Sequence, residues 1–214
     1  MNVITVLGSP LPDSTTAALA TLAEAGLRTA GIHTERFTVQ DFDAQALLFG
    51  HFDHYSVREF QQRLREADGV IVATPVYQAS FSGLLKLMLD LIPQQALADK
   101  WVLPLVSGGS AAHQLVLDYA LKTVLAALGA RQQLAGVYAT TTQLQLLQDD
   151  PQQVRARITD PALRERLQLA LDEFHLALLR QQPHRQAQAR RTRSAALPLP
   201  NTPSGHFSPA AISR

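Results

Sequence analysis

Three continuous apolar runs constrain this chain most. NVITVL (residues 2–7), GVIVATP (69–75) and WVLPLVSGG (101–109) are rich in Val, Ile and Leu and show no polar alternation. The first is followed by Gly8, the second ends in Pro75 and the third in Gly108 and Gly109. Runs of this length and composition read as strands buried on both faces, the signature of a parallel sheet covered by helices. The segments between them carry helical spacing. Ala17–Ala30 is rich in Ala and Leu and stops before Gly31, and Val57–Ala67 repeats apolar residues at Val57, Phe60, Leu64 and Ala67. Ser82–Ile92 is stopped by Pro93, and Ala112–Leu128 by Gly129. His33–Val39 and Leu134–Ala139 complete five strands, residues 40–56 read as irregular, and Pro161–Gln182 is a last helix with Leu163, Leu167, Leu171, Phe174 and Leu178 on one face. Five alternations of strand and helix predict a flavodoxin-like α/β fold, a doubly wound five-stranded parallel sheet in the order 2-1-3-4-5.

Charge divides the chain in two. Residues 1–182 hold fourteen Lys and Arg against eighteen Asp and Glu, whereas residues 183–214 hold five arginines, five prolines and no acid. The expectation is one domain over 1–182 and a disordered Pro/Arg-rich tail over 183–214. The mildly acidic body argues against a nucleic-acid binder. Cysteine is absent, which excludes a disulfide framework, a cysteine nucleophile and cysteine-ligated metal or iron–sulfur sites, and is in keeping with a reducing cytoplasm. The apolar runs are too short to cross a bilayer, and MNVITVLGSP lacks the basic start of a signal peptide, so no membrane association is expected.

In a doubly wound sheet, ligands bind beyond the carboxyl ends of the strands, near the point where strand order reverses. The loops there read GSPLPDSTT, TPVYQASFSG and SGGSAAH. The first sets Ser9, Ser14, Thr15 and Thr16 at a helix start, where free amides and the helix dipole suit a phosphate. It has neither the lysine of GxxxxGK[ST] nor the pattern GxGxxG, so a nucleotide triphosphatase and a standard dinucleotide fold are disfavoured. A phosphate monoester such as that of FMN fits; plain helix capping by Ser14 or Thr15 fits equally. The second loop, Pro75 to Gly83, sends a buried strand into a helix with little side-chain bulk and offers Tyr77 as an aromatic face. The third, Ser107-Gly108-Gly109-Ser110, again removes bulk, as the wall beside a planar ring requires.

Together GSPLPDSTT, TPVYQASFSGLLKLMLDLIP and LPLVSGGSAAHQLVLDYALK resemble the NAD(P)H-dependent FMN reductases, and most of all those of two-component alkanesulfonate monooxygenase systems. The resemblance covers roughly residues 1–180. The common family form of the middle motif is PxYNxSxPGxLK; here Gln78 stands in place of the Asn and Ser82 in place of the second Pro. The resemblance implies that Ser9, Ser14, Thr15 and Thr16 hold the flavin phosphate, that Pro75, Val76, Tyr77 and Ser80 line the isoalloxazine, and that Ser107, Gly108 and Gly109 pack at its other edge. His113 lies one turn into the next helix, as suited to capping as to facing the site. The implied activity is reduction of FMN by NADPH or NADH, with no catalytic side chain required, because the cofactor carries the chemistry. It implies further that reduced flavin passes to a flavin-dependent monooxygenase.

A quinone, azo-dye or metal-ion reductase on the same fold, and a non-enzymatic flavodoxin-type electron carrier, remain alternatives. No loop presents an arginine pair for a 2′-phosphate, so the coenzyme preference stays open. On a helical wheel, Leu117, Leu121, Val124, Leu125 and Leu128 form one stripe of the helix 112–128, with Leu115, Tyr119 and Ala126 opposite, which predicts a subunit interface. In the sulfonate-linked relatives the position matching Tyr119 is an insertion forming a π-bulge at a tetramer interface, so a homotetramer through Tyr119 is implied. His51 and His54 lack a third ligand, no metal site is expected, and Lys86 with Asp90 reads as a surface ion pair.

Overall fold

In the computed structural model, which describes residues 1–147 and 155–195, the first strand β1 (Asn2–Leu7) is the centre from which the sheet grows. It pairs in parallel with β2 (His33–Thr38) on one side and with β3 (Gly69–Tyr77) on the other. β3 pairs in parallel with β5 (Trp101–Gly108), and β5 with a fifth strand in two pieces, β6 (Gln132–Gln133) and β7 (Val137–Thr140). The order is β2-β1-β3-β5-β6/β7, the flavodoxin-like order expected. Before Gly83 the chain also makes a two-residue strand β4 (Ser80–Phe81), antiparallel to the end of β3.

Period-two alternation along each strand decides which residues meet which layer. Val3 and Leu7 of β1, Ile71 and Ala73 of β3, and Leu103 and Leu105 of β5 pack under α1 (Thr15–Thr29) and α6 (Pro161–Ala195). Ile4, Val6, Val70, Val72, Val102 and Val106 face the opposite layer. That layer holds α2 (Ala44–Phe49), α3 (Tyr55–Glu66), α4 (Gly83–Asp90) and the segment that ends in α5 (Lys122–Ala127). Both faces of the sheet are therefore apolar, and each large aliphatic side chain buried there contributes roughly 1.5–3 kcal/mol.

Several elements differ from the sequence expectation. Residues 40–56 are not irregular: a 3₁₀ turn (Val39–Asp41) leads into α2, whose N-cap Asp43 accepts from the Ala46 amide and whose C-terminal Gly50 sits at φ +69°. Both are ordinary helix punctuation, short enough to escape a periodicity reading.

The fifth strand is split by its neighbour. Pro104 has no N–H to give to the ladder, and β5 pairs with β6 at Trp101 and Val102 and with β7 from Leu105 onward, skipping the proline. The chain passes the gap through Gly136 at φ +84°, where a Cβ would lie 2.7 Å from the Pro104 carbonyl. The helix expected over 112–128 is also broken. It starts as a 3₁₀ turn (Ala111–His113), becomes a π-turn (Leu117–Leu121) closed by Lys122 N–H donating to the Leu117 carbonyl, and is α-helical only as α5.

A hairpin of β8 (Leu144–Leu147) and β9 (Arg155–Ile158), unanticipated from sequence, packs Leu144 and Ile158 into the α1–α6 layer. α6 runs through the expected end at Gln182 to Ala195, because the residues beyond Pro183 are mostly Ala, Gln and Arg, good helix formers. The rest of the expected tail, 196–214, lies outside the described residues. Met1–Arg180 forms one compact unit, and the chain from Gln181 onward groups separately.

Candidate flavin site at the carboxyl edge of the sheet

The three loops singled out by sequence converge at the carboxyl ends of β1, β3 and β5, held together by a few buried polar contacts. The Gly8 amide extends the ladder by donating to the Ala73 carbonyl at 2.8 Å. A Cβ on Gly8 would meet Leu85 Cβ at 2.5 Å and Ser82 Oγ at 2.8 Å, so only glycine lets the first loop pass against α4. Ser82 is fully buried and ties the loops together. Its hydroxyl donates to the Gly8 carbonyl at 2.6 Å and accepts from the Leu85 amide at 3.0 Å, while its own amide donates to Thr74 Oγ1 at 3.0 Å. One side chain thus caps α4 and anchors the first loop, a role the proline of the common family form could not fill.

The expected phosphate residues divide into two sets. Ser9 Oγ donates to Ser14 Oγ at 2.7 Å, and Ser14 Oγ accepts from the Ala17 amide at 3.1 Å as the N-cap of α1. Thr15 is half-buried beside them, and the amides of Thr15 and Thr16 stay open at the helix start. Thr16 and Ser107, expected to touch opposite ends of the flavin, are instead both buried, with their hydroxyls 2.6 Å apart. The structure brings them together as a brace between α1 and β5. Ser9 is buried as well, its hydroxyl spent on Ser14 and the Leu11 carbonyl, so Ser14, Thr15 and the open amides are the groups that remain at the helix start.

The second loop is a tight hairpin. Val76 pairs with Phe81 and Tyr77 with Ser80, and the two turn residues Gln78 and Ala79 both have positive φ, 47° and 60°. A two-residue turn with both φ positive is type I′, which favours Asn-Gly. Pro75 is buried in the strand, Val76 and Ser80 are half-buried, and Tyr77 stands 49% exposed above the sheet edge.

In the third loop Gly108 is wedged between Val76 and Tyr138: a Cβ there would run into the Tyr138 hydroxyl. That hydroxyl donates to the Ser110 carbonyl at 2.6 Å, and burial pushes its pKa up. Gly109 is exposed with open space where its Cβ would be, and the same holds for Gly83. His113 is exposed in the 3₁₀ turn. Tyr138, Thr74 and the part played by Ser82 escaped the sequence reading; only the departure at Ser82 from the family form pointed to one of them.

These residues fit FMN. Open amides and hydroxyls stand at a helix N-terminus, and a hairpin edge and a glycine wall stand at the same carboxyl edge of the sheet, with open space at Gly83 and Gly109. Other candidates do not assemble. His54 Nδ1 lies 2.9 Å from Ser56 Oγ, and no three metal-ligating side chains cluster among the described residues. Lys86 and Asp90 pair at 2.7 Å on the surface. No helix among the described residues is long and apolar enough to cross a membrane.

A doubly wound parallel sheet with this loop cluster at its switch point defines the flavodoxin-like class of α/β proteins. Comparison narrows it: the model of the NADPH-dependent FMN reductase family matches residues 1–145, and the chain belongs to that family. It is 46% identical over 185 residues to an FMN reductase (NADPH) of Pseudomonas putida, covering 84% of this chain and 89% of the relative. It is 43% identical over 180 residues to an FMN reductase (NADPH) of Escherichia coli, covering 84% and 91%. Among solved structures, the apo form of the NADH:FMN oxidoreductase EMOB superposes with a TM-score of 0.71 at 38% identity, covering 82% of this chain and 89% of that one.

Proposed function

We propose that this protein transfers hydride from a reduced nicotinamide to FMN and releases the reduced flavin to a partner monooxygenase, with sulfonate cleavage the reaction it serves. Bound FMN supplies the hydride acceptor. The chain's own residues bind and orient. The Thr15 and Thr16 amides with the Ser14 and Thr15 hydroxyls hold the phosphate at the start of α1, and the buried Ser9 hydroxyl positions Ser14. The hairpin Pro75–Ser80, with Tyr77 at its edge, and the wall Gly108–Gly109 set the ring plane.

The observation that carries the reading is a cradle built from backbone and glycine, with Gly83 and Gly109 facing open space, so that one ring face stays free for the nicotinamide. No charged side chain of the three loops clamps the ligand, which suits a flavin that comes and goes. Residues 1–182 are the proposed catalytic unit. A homotetramer through the 112–128 segment fits the exposure of Leu115 (61%), just before the π-turn, and of Tyr119 (78%) within it. Steady-state oxidation of NADPH and NADH at varied FMN tests the reading. Rates that saturate in added FMN support flavin as substrate. Rates independent of FMN but dependent on a quinone support a quinone reductase, and no oxidation with either coenzyme supports an electron carrier.

A further inference from the structure

We infer that the cavity between the π-turn and β7 receives the 2′-phosphoadenosine end of NADPH, with Arg166 as the phosphate contact. This rests on the hydride transfer proposed above. The cavity measures about 460 Å³, within the range of pockets that enclose small ligands. Gln114 and Lys122 line one side, Tyr138 and Thr140 the other, and Arg166 of α6 reaches in from the opposite layer.

Three observations point to that occupant. The first is position. The β5–β7 register sets Thr140 beside Gly108 and Ala139 beside Ser107, so the cavity begins about one strand spacing, ~4.8 Å, from the flavin wall. Tyr138 is common to both: it lines the cavity, and its hydroxyl holds the Ser110 carbonyl of the flavin loop. A dinucleotide whose nicotinamide lies over the isoalloxazine is longer than the cradle, and its adenosine half must settle beyond it. On the β1 side the loop at the start of α1 serves the flavin phosphate. On the β7 side the cavity is waiting at the same sheet edge.

The second observation is charge. The loops 8–16, 74–83 and 107–110 contain no Lys or Arg, so any recognition of a 2′-phosphate has to come from outside them. Lys122 is committed to Asp118 at 2.7 Å. Arg166 makes no ion pair within 4 Å among the described residues; its Nη2 donates to the Tyr138 carbonyl at 3.5 Å and its charge acts on the Asp160 carboxylate, and its remaining N–H groups are the ones offered to a phosphate. The third is where the cavity lies. Ala135 and Gly136, in the break between β6 and β7, line it together with Leu117 and Asp118 of the π-turn.

The test is calorimetric titration of the flavin-free protein with 2′,5′-ADP and with 5′-ADP, alongside steady-state kinetics. The expected result is about tenfold tighter binding of 2′,5′-ADP, lost in Arg166→Ala and partly kept in Arg166→Lys. 2′,5′-ADP should also inhibit competitively with NADPH, and Arg166→Ala should raise the ratio of KM for NADPH to KM for NADH about tenfold. Arg166 is exposed, so both variants should fold. Equal binding of the two nucleotides, or a preference unchanged in Arg166→Ala, overturns the assignment. So does tight 2′,5′-ADP binding without competition against NADPH, which would mark a site for a free nucleotide. Absence of FMN reduction with both coenzymes would overturn the proposed reaction instead, and the calorimetric difference would still read the cavity.

Discussion

Thr16 and Ser107 provide a sharp prediction, because the family resemblance implies flavin contacts for both, while in the structure their hydroxyls pair with each other. Their hydroxyls are 2.6 Å apart, and the residues are 1% and 3% exposed, so water cannot stand in for a missing partner. Thr16→Val removes one hydroxyl at nearly constant shape and leaves the Ser107 hydroxyl buried and unpaired, at a cost of about 1–3 kcal/mol. Ser107→Ala leaves Thr16 in the same position at a similar cost. The double variant leaves no orphan and should lose less than the sum of the singles, with a coupling of about 1–2 kcal/mol in a urea-unfolding cycle. FMN affinity, read by fluorescence quenching, should follow the same pattern: reduced in each single variant, because the start of α1 loosens against β5, and partly recovered in the double. Additive stability losses, or an FMN affinity that falls independently with each substitution, would refute the brace and return both residues to direct flavin contact.

Three further expectations come from neighbouring contacts. Ser82→Ala removes the cap of α4 and orphans the buried Gly8 carbonyl, so thermal or urea unfolding should show a loss of about 2–4 kcal/mol; a loss within the scatter of surface substitutions would contradict the anchoring role. Gln78→Asn with Ala79→Gly gives the type I′ turn its preferred residues and should add roughly 1 kcal/mol of stability while slowing flavin release in stopped-flow dissociation; a destabilised hairpin would mean the turn is not under strain. Deleting Tyr119 should restore regular i→i+4 bonding through the π-turn, shift the proposed tetramer to smaller species on light scattering and tighten FMN, whereas an unchanged mass would separate the bulge from assembly.

The sheet was legible because burial on both faces writes an unbroken apolar run, and three of the five strands carry one. The loops that converge were legible because switch-point topology names them before any contact is known. What escaped was set by neighbours in space. Pro104 reads as one residue inside a strand, yet it splits a different strand, the one that pairs with it. The 112–128 segment has sound helical periodicity on its buried stripe, and Leu117, Leu121 and Leu125 are indeed buried, but periodicity does not distinguish α from π turns. Thr16 and Ser107 lie 91 positions apart, and nothing in either local sequence says that one hydroxyl serves the other. α2 was marked by Asp43 and Gly50, signals that a wheel over six residues is too short to expose.

Anaerobic stopped-flow mixing of the purified protein and FMN with NADPH, and separately with NADH, tests the central claim most directly. The account predicts rapid bleaching of the oxidised flavin absorbance at a rate that saturates with FMN, and reduced flavin that passes through a filter retaining the protein. Flavin that stays oxidised with both coenzymes would contradict it, and so would reduced flavin that remains with the protein through many turnovers.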